Sequence, residues 1–359
     1  MKRIKVLFIV EAMGGGIFTY VVNLTNQLAD KFELYVAYGL RDQTPVDYKD
    51  YFDPRIHLIR VEHFTRSVSI KKDMLAFAEI RRIAKGIQPD IIHLHSSKAG
   101  ALGRWAFDGR RVPLFYTPHG YSFLMNDHSA VHKAVYYTIE KLSSMRRCTT
   151  ISCGPGEDQQ TRKMTSRAKY VRNGIHTKEI DALLDGAEPA AHPFTVFTLG
   201  RICPQKNPAL FNEIALKAPD VHFLWIGKGE LRHELTAPNI TVTGWMPRRE
   251  ALNKAMQADA FILTSRWEGL PISLLEAMYM RKLCIVSDIP GNNDVIRNGE
   301  NGFLCRTADE FVQALRTHMG QKQTEMIERA YDEIMQTYNL DVMAKAYEEI
   351  YMQAVRSRG

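Results

Sequence analysis

The chain has 359 residues, 45% hydrophobic and 24% charged. That composition excludes disorder, a collagen-like repeat and a small disulfide scaffold, and the length leads us to expect two domains. Lys and Arg number 47 against 40 Asp and Glu, a net +7, which leaves nucleic acid, an anionic membrane surface or phosphorylated small molecules as partners.

The N-terminus begins Met-Lys-Arg-Ile-Lys and runs into apolar Val6–Val10, which stops at Glu11 and a glycine cluster. No small-residue cleavage site follows, so this run reads as a first buried strand and not a leader. Further strands are predicted at Glu33–Tyr38, His57–Val61, Asp90–His95, Pro113–Thr117, Cys148–Cys153 and Lys169–Arg172. Helical periodicity falls between them at Ile17–Lys31, Ile70–Lys85 and Ala130–Met145. After a polar stretch, Asp181–His192, the rhythm restarts with strands at Thr195–Leu199, His222–Ile226, Ile240–Thr243, Ala260–Thr264, Cys284–Ser287 and Gly302–Leu304. Helices are predicted at Pro208–Leu216, Arg248–Ala258 and Ile272–Met280, and a last one at about Leu340–Arg356 follows a break near Tyr338–Asn339. Apolar strands alternating with helices imply parallel sheets covered on both faces. The expected fold is therefore α/β, two doubly wound Rossmann-like domains facing across a cleft. They are 1–185, with 339–359 packed back on it, and 186–338. Ligands in such folds bind beyond the carboxyl ends of the strands.

No run of 18 apolar residues occurs, so no membrane span is expected. Cys148, Cys153, Cys203, Cys284 and Cys305 form no CxxC pair or Cys/His cluster, which predicts buried free thiols in a reducing cytosol.

Five loops carry candidate chemistry. Gly14-Gly15-Gly16, between the first strand and helix, lets a ligand approach backbone N–H groups at a helix N-terminus. It is not GxGxxG, and a tight turn is the alternative. Gly200-Arg201-Ile202-Cys203-Pro204-Gln205-Lys206-Asn207 puts a planar fork and a point charge in one strand-end loop, which suits a diphosphate; two solvated cations are the alternative. In Ser265-Arg266-Trp267-Glu268-Gly269-Leu270-Pro271, Pro271 is read as the first helical residue, leaving Gly269 and Leu270 N–H groups for an anion. Glu268 and Glu276 could then hold separate hydroxyl-bearing parts of one ligand. Apolar Leu274, Leu275 and Ala277 imply that Glu276 is buried and needs a partner. Thr117-Pro118-His119-Gly120 could expose the His119 ring at a strand end. In His93-Leu94-His95-Ser96-Ser97-Lys98-Ala99-Gly100, His93 and His95 share a strand face without a third metal ligand; His95, Ser96 and Lys98 could line a cleft mouth. Asn173-Gly174 reads as a turn before the interdomain linker.

Together, Gly14–Gly16, Thr117–Gly120, the Gly-Arg…Lys-Asn loop at 200–207 and Glu-x7-Glu at 268–276 resemble the retaining GT-B glycosyltransferases of family 4, over nearly the whole chain. The first loop departs from the family's common Gly-Gly-x-Glu-x. The resemblance implies a nucleoside-diphosphate sugar donor on the second domain, UDP-sugar favoured, and an acceptor on the first. It implies that Arg201 and Lys206 bind the diphosphate, Glu276 the ribose, and Glu268 the sugar hydroxyls. His119 would meet the sugar near the reaction centre, and Gly15 and Gly16 would approach the diphosphate. Met246, within Thr243-Gly244-Trp245-Met246-Pro247, would lie beside the base. The resemblance implies retention of configuration without a cofactor, and, with no convincing Asp-x-Asp pair, without a required metal. No obvious carboxylate nucleophile stands out, so front-face attack is expected. Cations and helix N–H groups would stabilise the leaving group.

His-Ser-Ser-Lys-Ala-Gly at 95–100 with Gly103-Arg104 resembles the subset that extends polyprenyl-diphosphate-linked sugars in bacterial surface polysaccharide assembly, which puts His95, Ser96, Lys98 and Arg104 on the acceptor side. Ile70–Lys85 and Ala130–Arg147 combine basic and apolar residues, so peripheral association with the inner membrane face is expected, a solvated charged face being the alternative. The competing functions are a sugar-nucleotide epimerase of related fold, a basic nucleic-acid-binding protein and a sugar-nucleotide sensor. The spread of basic residues along both halves argues against nucleic acid.

Overall fold

The computed structural model describes residues 3–41, 44–65, 69–124, 129–184, 193–321 and 323–357. It forms two compact units, one of Met1–Arg172 with Leu340–Gly359 and one of Asn173–Asn339.

The first unit runs β1 (Lys5–Met13), α1 (Gly15–Leu28), β2 (Glu33–Leu40), β3 (His57–Arg60), α2 (Ile70–Ile87), β4 (Ile91–His95), α3 (Ser97–Ala106), β5 (Leu114–Thr117), α4 (Ala130–Ser144), β6 (Thr149–Ser152), α5 (Pro155–Met164) and β7 (Ala168–Tyr170). The second runs α6 (Thr177–Leu184), β8 (Thr195–Leu199), α7 (Pro208–Lys217), β9 (His222–Ile226), β10 (Ile240–Val242), α8 (Arg248–Gln257), β11 (Ala260–Leu263), α9 (Ile272–Tyr279), β12 (Leu283–Ser287), β13 (Phe303–Cys305), α10 (Ala308–Gly320) and α11 (Thr324–Thr337). The last helix, α12 (Leu340–Arg356), belongs to the first unit.

The sheets order as β3-β2-β1-β4-β5-β6-β7 and β10-β9-β8-β11-β12-β13, with parallel pairing throughout. Strands buried on both faces explain the continuous apolar runs: Val6–Val10 and Ala260–Leu263 are sealed from solvent. In each sheet the chain winds one way from the first strand and the other way later. The switch points, β1/β4 and β8/β11, open crevices at the carboxyl ends of those strands. Gly14–Gly16 and Ser96 follow β1 and β4; Gly200–Lys206 and Thr264–Leu270 follow β8 and β11.

The second unit starts before the predicted linker. Asn173–Gly174 is irregular backbone and not a turn, Ile175 bridges to Asn339, and Ile180 of α6 is buried in the second unit's core. Asp181–Leu184 completes α6, and 185–192 lies outside the described residues. α12 packs on α1 and buries Leu340, Met343, Ala344, Tyr347 and Tyr351 in the core that also holds Val6 and Phe8. All five cysteines are free and buried.

Candidate active site

In the second unit, Glu268 anchors the crevice. Its Oε1 accepts from Lys206 Nζ at 2.6 Å and from Ser265 Oγ at 2.6 Å, and its Oε2 accepts from Gln205 Nε2 at 3.2 Å. The Arg266 N–H donates to Gln205 O at 2.8 Å, and Thr264 Oγ1 to Lys206 O at 2.8 Å, so the two switch-point loops are tied together. Gly227 has to be glycine: a Cβ there would stand 2.1 Å from Gly200 O. At Gly291, φ is +92°, and a Cβ would stand 2.7 Å from Glu268 O. Arg201 is exposed and makes no ion pair among the described residues. Gly269 and Leu270 N–H groups meet no acceptor among the described residues. Pro271 is the N-cap of α9 and the helix starts at Ile272, one position later than expected, because the Leu274 and Leu275 N–H groups both reach Pro271 O.

Glu276 is 3% exposed on α9. Burial pushes its carboxyl above the ordinary range, and Arg248, donating from Nη2 at 2.8 Å, opposes that shift. Arg248 also donates from Nε to Glu179 at 3.1 Å. After β10, Gly244 turns at φ +78° and bridges to Gly227, leaving Trp245 exposed and Met246 half-buried. Arg201, Lys206, Glu268, Gly269, Leu270 and Glu276 thus all lie at or just beyond the carboxyl ends of this sheet's strands.

In the first unit, Gly14 caps α1 without a side chain, and Gly15 turns at φ +57°. A Cβ on either Gly15 or Gly16 would meet nothing within 4 Å, so the space over the helix mouth is open. His119 and Gly120, after β5, take φ +57° and +91°. His119 Nε2 lies 2.9 Å from His95 Nδ1, and the Tyr20 ring stands edge-on to it at 4.6 Å between centroids. Burial holds His119 down at about 3, so the ring is neutral at pH 7. The Glu157 carboxylate accepts from Gly120 N–H at 2.6 Å and from Cys153 N–H at 3.0 Å, and burial raises it to about 7.

The remaining first-unit candidates are engaged within the protein. Ser96 Oγ donates to Glu11 at 3.4 Å, and Glu11 pairs with Arg41. Lys98 donates to Asp73 at 2.9 Å and to Thr65 O at 2.6 Å. Arg104 corrects the sequence reading. It is 1% exposed, donates to Glu140 at 2.6 Å and stacks over Tyr116 at 4.4 Å, so it joins α3 to α4 and presents no surface to an acceptor. His93 is a core residue, linked to Thr117 Oγ1 at 2.9 Å and to Tyr351. Among the described residues no three His, Cys, Asp or Glu side chains gather where a metal ion could sit.

Sequence reasoning missed Arg248, Glu157 and Gln205 as members of these clusters. Gln205 and Ser265 stood inside quoted motifs. Arg248 and Glu157 carry no local signal, because what places them is the tertiary fold.

Two family descriptions match the chain: "Glycosyltransferase Family 4" over residues 14–179 and "Glycosyl transferases group 1" over residues 193–321. An Escherichia coli protein named UDP-Gal:alpha-D-GlcNAc-diphosphoundecaprenol alpha-1,3-galactosyltransferase is 31% identical over 299 residues, 74% of this chain and 76% of that protein. An uncharacterised 41.2 kDa protein from the cps region of Klebsiella pneumoniae is 24% identical, covering 97% of this chain and 99% of its own. The fold matches that of the Anabaena protein HepE in complex with UDP-glucose, with TM-score 0.76, 17% identity and coverage of 97% and 99%. It also matches sucrose-phosphate synthase from Thermosynechococcus elongatus, with TM-score 0.81, 16% identity and coverage of 99% and 100%. Motifs, sheet orders and relatives converge, and the chain belongs to the family 4 glycosyltransferases of GT-B architecture.

Proposed function

We propose that the protein transfers a sugar from a UDP-sugar to a polyprenyl-diphosphate-linked sugar, with retention of configuration and without a metal, in surface polysaccharide assembly. The observation that carries this reading is the β8/β11 crevice. It combines Arg201, which makes no ion pair among the described residues, Lys206 on the buried Glu268, and two N–H groups at the mouth of α9. Such a set binds a diphosphate and takes up the charge that develops as the nucleotide leaves. Arg201 and Lys206 serve the diphosphate, with Gly15 and Gly16 approaching it. Glu276 serves the ribose, Met246 the base edge, and Glu268 and His119 the sugar. The uridine donor and the lipid-linked acceptor draw support from the Escherichia coli relative's name and the HepE complex. A thermal-shift screen of UDP-, GDP- and ADP-sugars tests the donor: UDP-sugars raise Tm, and a rise with GDP- or ADP-sugars alone overturns the base assignment.

The first unit supports a membrane location. No helix among the described residues is long and apolar enough to cross a bilayer. On α4, however, Val131 (72% exposed), Val135 (49%), Ile139 (43%) and Leu142 (52%) form one outward stripe that continues to Met145 (75%). The inner face of the same helix carries buried Glu140, Ser143 and Ser144. This reverses the usual amphipathic order. Lys141 and Arg147 are exposed beside the stripe, and the helix's one carboxylate, Glu140, is buried against Arg104. On α2, Ile70 (81%), Met74 (68%) and Leu75 (42%) are exposed as well, while Ile80 is buried and Phe77 and Ile83 are half-buried. Apolar contact plus positive charge suits an anionic lipid surface that would also carry the acceptor. Flotation with phosphatidylglycerol vesicles should fail for Ile139→Glu/Leu142→Glu; equal flotation of that variant removes α4 from the account.

A further inference from the structure

The contact between the buried His95 and the half-buried His119 carries more than packing. Both rings are neutral, because burial lowers their protonation well below pH 7. A neutral imidazole has one N–H and one lone pair, so one ring donates across the 2.9 Å from His95 Nδ1 to His119 Nε2. The two directions are not equivalent. His95 is fully buried, and its Nε2 has no hydrogen-bond partner among the described residues. If His119 donated, His95 would carry its proton on that Nε2, a buried N–H facing no acceptor. If His95 donates from Nδ1, only a lone pair is left at Nε2, and an orphaned donor is the rarer and costlier outcome.

We propose that His95 is the positioning residue that fixes the tautomer of His119. By donating to Nε2, it keeps the His119 proton on Nδ1, which makes no hydrogen bond among the described residues. His119 then offers an N–H to an oxygen of the sugar and is a hydrogen-bond donor, not a base. This assigns His95 a role behind the reaction centre and takes it off the acceptor side. Phe8 stacks on His95 at 5.3 Å and His93 lies 4.1 Å away, so the ring has little freedom to turn. Glu157 fixes the other end of the unit by holding Gly120 N–H, which sets the left-handed backbone that aims the ring.

The role of the N–H rests on the glycosyl-transfer reading; the tautomer does not, and the two are tested separately. Long-range 1H–15N correlation of the histidine rings in the intact protein should show His119 protonated at Nδ1 and bare at Nε2 between pH 6 and 8. Protonation at Nε2 overturns the proposal whatever the activity. His95→Asn keeps an amide donor at the δ position, whereas His95→Leu has none. We expect kcat to fall about ten-fold in the Leu variant, the worth of one lost hydrogen bond, with donor KM little changed and with recovery in the Asn variant. Equal kcat in folded Leu and Asn variants, checked by thermal melting, also overturns it.

Discussion

Removing Lys206 tests the core of the donor crevice. Lys206→Ala deletes the cation 2.6 Å from a Glu268 side chain that is 7% exposed, leaving the carboxylate with only Ser265 and Gln205. At an effective dielectric of about 20, the direct attraction at that separation is about 6 kcal/mol before desolvation. Lys206 is itself 16% exposed and two neutral donors remain, so the net loss should be about 2–4 kcal/mol, near the range for breaking a buried pair. Glu268→Gln alone should cost less, because its amide still meets Ser265. The double variant should recover part of the Lys206→Ala loss, giving a coupling of about 1–3 kcal/mol in a denaturant cycle. UDP-sugar affinity should fall about 10–100-fold in Lys206→Ala, the worth of a charge-assisted hydrogen bond. A coupling below about 0.3 kcal/mol, with unchanged donor affinity, would refute the reasoning.

Four further outcomes follow. Because burial raises Glu276, the fold binds that proton more tightly than the unfolded chain, and stability from this site falls as pH rises past the ordinary carboxylate range. Glu276→Gln should therefore raise Tm at pH 7 while weakening donor binding, and a lower Tm at pH 7 contradicts the burial argument. Glu157, raised to about 7, contributes stability below the ordinary Glu range that is lost as pH climbs toward 7, at up to about 1.4 kcal/mol per pH unit. Urea titrations from pH 5 to 8 should show a shallower decline in Glu157→Gln than in the parent protein. Glu140→Ala should cost about 3–5 kcal/mol by stranding Arg104, and Arg104→Met/Glu140→Leu should recover most of it, measured by thermal unfolding. Deleting α12 should abolish cooperative unfolding of the first unit. It removes five buried side chains, the four larger of them worth about 1.5–3 kcal/mol each, which is comparable to a typical domain's whole margin.

The strands were legible because burial on both faces leaves short, continuous apolar runs. Thr195–Leu199 and His222–Ile226 match residue for residue. The second-unit loops were legible for a related reason: topology places them at the switch point, so Arg201, Lys206 and Glu268 needed only a strand before each loop. The cross-strand relations were not legible. His95 meets His119 because β4 pairs β5 with His95 opposite Thr117, and no local pattern states that register. Arg104 looked like an acceptor ligand because its motif resembles that of the subset that extends lipid-linked sugars. Its partner, Glu140, lies 36 residues on, and only their pairing across α3 and α4 explains why a cation is buried there. The outward stripe of α4 has a helical period that sequence alone leaves open between a membrane face and core contacts beneath a solvated charged face, since periodicity does not say which face meets the protein.

The most direct measurement is product analysis with a UDP-sugar and a polyprenyl-diphosphate-linked sugar acceptor, in the presence of a chelator. The account predicts a new disaccharide on the lipid diphosphate whose anomeric proton coupling shows the donor's own configuration, formed at undiminished rate without divalent metal. An inverted product, or transfer that stops when metal is removed, would contradict it.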